Sequence, residues 1–66
     1  DEKVREALER ALLSDPDPGV RAAAATAIGR QSGKKAVPAL KQARAQDANR
    51  QVQQAAYKAL IMIEGY

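Results

Sequence analysis

Shifted against itself by 32 positions, the sequence pairs residues 1–34 with 33–66, and ten of those 34 pairs are identical. They include Ala7/Ala39, Leu8/Leu40, Asp15/Asp47, Val20/Val52, Ala24/Ala56 and Gly33/Gly65, nearly all of them apolar or turn positions. A period between about 20 and 50 residues is the mark of stacked supersecondary units, none of which can bury its apolar face alone. The chain is therefore expected to be one domain of two copies of a single building block, residues 1–32 and 33–66.

Within each block the apolar spacing is helical. Val4, Ala7, Leu8, Ala11 and Leu12, then Val20, Ala23, Ala24, Ala27 and Ile28, follow i, i+3, i+4, i+7, i+8. The second block repeats this with Ala36, Ala39, Leu40 and Ala43, and with Val52, Ala55, Ala56, Ala59, Leu60 and Ile63. No stretch alternates with period two and β-branched residues are few, so strands are disfavoured. Punctuation divides the pattern in the same way. Pro16 disfavours α geometry at Asp15, Asp17 is suited to cap a helix opening at Pro18, and Asn49 stands one period later. Gly33 supplies a left-handed residue after the second helix, and Pro38 is tolerable only in the first turn of the third. The expected fold is all-α, two stacked hairpins with helices at about 2–13, 18–31, 35–46 and 50–63.

Composition narrows the chemistry. The 66 residues contain neither cysteine nor histidine, which removes a disulfide framework, a thiolate nucleophile, an imidazole base and a Cys/His zinc cage. The serines, the threonine and the tyrosines lack a histidine to activate them, so an enzyme is not expected. Asp15, Asp17, Asp47 and Glu64 read as caps and turn residues, and the aspartates lack the spacing of a calcium loop. No metal and no cofactor are expected. No apolar run approaches the ~20 residues of a membrane span, and a signal-peptide pattern is missing. The chain begins at Asp1 instead of Met, which points to a segment of a longer polypeptide or a processed product.

The run Asp15-Pro16-Asp17-Pro18-Gly19-Val20-Arg21-Ala22-Ala23-Ala24, with Ala27-Ile28-Gly29-Arg30 and Ala36-Val37-Pro38-Ala39-Leu40 after it, resembles the HEAT-like repeats of the bilin-lyase type. The resemblance covers both units. It implies helical hairpins stacked into a right-handed solenoid, with the second helices lining a concave binding side, and a role in protein binding or scaffolding. It also implies that Arg21 reaches Asp15 and Asp47 as a structural ladder. The second unit departs from the pattern, with Arg50 where a proline stands and Gln53 where the family has arginine. The next rung of the ladder is lost, and the stack is expected to stop there. Two units fall below the usual three or more. One end should then be closed by a partner or neighbouring domain, by self-association, or by close alanine-mediated packing.

Two surface features bear on partners. Residues 1–19 carry six acids and three bases, a net −3, whereas residues 20–66 carry two acids and eight bases, a net +6. Arg21, Arg30, Lys34, Lys35, Lys41 and Arg44 form a basic strip in a stretch without acids, which supports an alternative role as a nucleic-acid-binding accessory domain. No aromatics are interleaved to stack on bases, and several of these cations sit near helix C-termini, where they relieve the macrodipole. The other feature is apolar excess in the last helix. Tyr57 and Ile61 lie at i, i+4 off the buried stripe, where the first unit has Ala25 and Gly29, and Met62 and Tyr66 add to that end. Arg50, Tyr57, Lys58 and Ile61 are the candidate partner-binding patch, tyrosine combining contact area with a polar tip.

Overall fold

The structure, a computed structural model, describes residues 2–65. Its helices are α1 (Glu2–Ser14), α2 (Pro18–Gln31), α3 (Val37–Gln46) and α4 (Arg50–Glu64), with a 3-10 turn at Gly33–Ala36. Local chemistry sets the ends. At the start of α2 the Asp17 carboxylate accepts the Gly19 N–H at 2.8 Å, satisfying an orphan donor, and Pro18 occupies the first turn, where its missing N–H costs nothing. One period later the Asn49 side chain accepts the Val52 N–H at 3.1 Å. Gly33 and Gly65 take left-handed φ values of 65° and 72°, the conformation that turns a chain out of a helix and that a Cβ opposes.

The third helix differs from expectation. It begins at Val37, because the segment after Gly33 first winds as a tighter 3-10 turn. That displacement places Pro38 in the first α-helical turn, where no preceding carbonyl needs its N–H.

Helices α1 and α2 form one antiparallel hairpin and α3 and α4 another, and the most extensive contact of all runs between α2 and α4. Helices α1 and α4 hardly meet. A four-helix bundle would close that side, so the molecule is a stack of two hairpins, a slab measuring 27 × 25 × 15 Å. Its core is built around Leu12, Ile28, Leu40, Val52 and Leu60, with buried alanines between them. Alanine and glycine let the two second helices come close. A Cβ added to Gly29 would lie 2.9 Å from both the Cα and the Cβ of Ala59, so this position seats α4 directly on α2.

The buried stripe departs from the sequence reading at identifiable places. Val4, Ala7, Val20 and Ala23 are exposed, whereas Ala25, placed off the stripe, is fully buried. Helix α2 lies between α1 and α4, so its buried arc is wider than a single stripe. The exposed residues all belong to the first unit.

Candidate functional site

The ladder and the patch occupy different parts of the stack. Arg21 projects from the first turn of α2 across the junction between the hairpins. Its Nε donates to Asp47 Oδ2 at 2.9 Å and its Nη2 to Asp47 Oδ1 at 3.2 Å, a side-on bidentate pair. Its Nη1 donates to the backbone carbonyl of Asp15 at 2.8 Å. The Arg21–Asp15 rung thus runs to the main chain and not to the carboxylate. Asp15 Oδ1 instead accepts the N–H of Asp17 at 2.9 Å and shapes its own turn. Asp47 Oδ1 accepts the Asn49 N–H at the same distance in the equivalent turn, while also holding Arg21. The hydrogen bond from Arg21 holds the Asp47 carboxyl below the usual carboxylate range, and the Asn49 N–H adds to this against the opposing effect of burial.

In the second unit Gln53 stands in the place of Arg21. Its Nε2 donates to the carbonyl of Asp47, reproducing the bond that Arg21 makes to Asp15. The local turn clamp is kept. The charged reach toward a further unit is gone, because an amide carries no charge to offer another carboxylate.

Of the four residues of the candidate patch, Arg50 and Tyr57 come together. They line a shallow depression of about 270 Å³ at the C-terminal end of the stack, with Arg44, Gln53 and Gln54. The Arg44 guanidinium lies 4.5 Å from the centroid of the Tyr57 ring, a cation–π contact that holds the ring in place. Lys58 faces elsewhere, into a groove of about 440 Å³ between α2 and α4, whose walls include Ala22, Ala23, Thr26, Gln51 and Gln54. Ile61 is half-buried and lines neither hollow. Met62 is exposed, and Tyr66 lies outside the described residues.

Arg44, Gln53 and Gln54 were not part of the patch read from the sequence. The signal for Arg44 was present: it stands 32 residues after Leu12, so an apolar position of the first unit becomes a cation in the second. The basic strip is divided by the fold. Arg21 is taken up by Asp47, Lys35 Nζ lies 3.4 Å from Glu2 Oε1, and Arg44 lies on Tyr57. Thr26 Oγ1 donates to the carbonyl of Ala22, an intrahelical bond. Among the described residues no cluster of three or more carboxylates is placed to hold a metal ion, and no helix is long and apolar enough to cross a membrane.

Two helical hairpins in register, joined by a bidentate bridge across their junction, define a helical-repeat protein of the α-solenoid class. The family follows from comparison with known sequences: the model of HEAT repeats matches residues 1–63, and the chain belongs to that family. No curated protein and no solved structure matches it significantly. HEAT repeats generally mediate protein–protein interaction or scaffolding.

Proposed function

We propose that residues 1–66 act as one domain of two HEAT repeats, about 1–32 and 33–66, whose job is non-catalytic: to dock a protein partner at the C-terminal end of the stack. The observation that carries this reading is the Arg44–Tyr57 pair. Tyr57 is 42% exposed, although the equivalent Ala25 is fully buried, and the guanidinium over its ring favours one orientation of the side chain. Arg44 and Arg50 make the depression basic, and Lys58 extends the positive charge into the groove between α2 and α4. The chemistry fits an acidic segment of another protein, carboxylates meeting the guanidinium groups and an apolar side chain resting on the ring.

Selection of peptides from a displayed random library tests this. The parent chain should enrich peptides rich in Asp and Glu, and Arg50→Glu with Tyr57→Ala should weaken them at least tenfold. Selected peptides that bind the double variant as well as the parent place the partner elsewhere. Titration with duplex DNA at two salt concentrations covers the nucleic-acid alternative: salt-dependent binding supports it, and its absence removes it. The engagement of Arg21 by Asp47 takes a cation out of the basic strip, which favours the protein partner.

A further inference from the structure

Among the serine and threonine hydroxyls, that of Ser32 has surroundings of its own. Thr26 lies within α2 and donates to the carbonyl of Ala22, and Ser14 is followed closely by Asp15 and Asp17. Ser32 closes α2 and opens the 3-10 turn Gly33–Ala36, to which its side chain gives no capping hydrogen bond. Arg30 precedes it by two positions, Lys34 and Lys35 follow it by two and three, and no acid occurs between Pro18 and Gln46. Gln31, Gly33 and Lys34 are exposed, and a Cβ built on Gly33 would meet nothing within 4 Å, so the turn stands clear of the fold. Charge patterns around the acceptor are how kinases choose substrates. A serine in an open turn between bases suits a kinase with an acidic substrate groove, whereas the aspartates after Ser14 oppose such a groove.

The fold adds a second observation. Ser32 lines a hollow of about 410 Å³ where the start of α1 meets the end of α2, with Glu2, Val4, Arg5, Gln31 and Lys35. Its two cations share one carboxylate: Arg5 Nη2 lies 3.9 Å and Lys35 Nζ 3.4 Å from Glu2 Oε1. Arg5 is also anchored through Nη1 to Glu9 Oε2 at 3.1 Å, and its side chain is only 19% exposed, so the guanidinium is already fixed in position. Glu2 is held loosely. Both distances are long for charge-assisted hydrogen bonds, the Glu2 side chain is 70% exposed, and pairs of this kind contribute little. A stronger anion beside Arg5 and Lys35 would take its place.

We propose that Ser32 is a phosphorylation site and that its phosphate displaces Glu2 as the anion held between Arg5 and Lys35. A serine kinase that selects basic substrates transfers the γ-phosphoryl group of ATP to Ser32 Oγ. The Oγ–P bond forms as the bond to the β-phosphate oxygen breaks, ADP leaves, and the hydroxyl proton passes to the kinase's base. The product carries about −1.5 to −2 extra charge and three acceptor oxygens. The macrodipole opposes an anion at the end of α2, and Arg5 and Lys35 offset it, the guanidinium fork matching phosphate oxygens. Phosphorylation thereby ties the first turn of α1 to the connection between the hairpins. The site shares no residue with the patch around Tyr57 and does not depend on it.

Incubation of the intact chain with ATP and a purified arginine-directed serine kinase tests the site. The chain should take up one phosphoryl group by intact mass, fragmentation should place it on Ser32, and Ser32→Ala should take up none. Phosphate on Ser14 or Thr26 instead, or uptake only after unfolding in urea, overturns the proposal. A titration of the phosphorylated chain followed by phosphorus NMR tests the displacement of Glu2. The second phosphate pKa, about 6 in an unstructured phosphoserine, should fall by about half a pH unit in the folded chain and return in urea. Arg5→Gln with Lys35→Gln should abolish that fall. Glu2→Gln, a change on an exposed side chain, serves even where the double variant does not fold: it should lower the phosphate pKa further by removing a neighbouring negative charge. The same pKa in folded and unfolded chains, or no response to Glu2→Gln, would show that the phosphate does not enter the hollow.

Discussion

The Arg21 guanidinium bridges the two hairpins, and its surroundings decide how much that is worth. Exposed ion pairs contribute ~0–1 kcal/mol because water screens them. Arg21 and Asp47 differ in being largely shielded, with side chains 18% and 9% exposed, and in sharing two hydrogen bonds in one plane. Arg21→Gln is expected to cost about 1–3 kcal/mol in urea unfolding, more than an exposed pair would give. Asp47→Asn should cost a similar amount, and the double variant less than the sum of the two. Acid adds an independent measurement. The folded Asp47 pKa lies below its unfolded value, so the bridge's contribution is complete above about pH 4 and disappears as the pH falls through the folded value. Stability measured between pH 5 and pH 2 should therefore fall less steeply in Asp47→Asn than in the parent. Equal slopes would show that the carboxylate contributes nothing to the acid response.

At the scale of the helices, the four helices and the starts of α2 and α4 could be read from the sequence, because they are set by side chains within a few residues of the boundary, whereas the 3-10 turn that delays α3 to Val37 was not. Asp17, Pro18, Asn49 and Gly33 act on backbone groups next to them, whatever lies across the fold. Burial could be read only in part, because it depends on neighbours that periodicity does not name. The spacing of Val20 and Val52 is identical, yet one meets solvent and the other is wholly buried. Ala25 escaped the stripe for the converse reason, being covered by a second unit on a flank that an isolated amphipathic helix would leave wet. The patch divides along the same line. Tyr57 was visible as a large side chain at an alanine position, whereas its pairing with Arg44 joins α3 to α4 and has no local signature. Close alanine-mediated packing was one of three alternatives read from the sequence, and the approach at Gly29 gives the contact of α2 with α4 a geometric measure. Ala56 is fully buried in the core, so Ala56→Leu should overpack it by ~1–3 kcal/mol. For a domain of this size each kcal/mol lowers the thermal midpoint by about 4–8 °C. A melt superimposable on the parent's would mean that Ala56 is not tightly packed.

At the scale of the whole molecule, neither of the two described units has a neighbouring unit on both faces. In a longer array an interior repeat has neighbours on each side, and a substitution at a given repeat position costs about the same wherever it is made. Here the cost should depend on which unit carries it. Val52→Ala removes two methyl groups from a site with no contact with water and should cost about 1.5–3 kcal/mol. Val20→Ala removes the same atoms from the same helical position, but from a side chain 41% exposed on the open face, and alanine's better helix propensity offsets part of the loss. Its cost should stay within about 0.5 kcal/mol. The pair is compared in one solvent by the shift in urea midpoint at unchanged slope, so helix propensity and unfolded-state effects largely cancel between them. Equal costs would mean that Val20 is covered in solution.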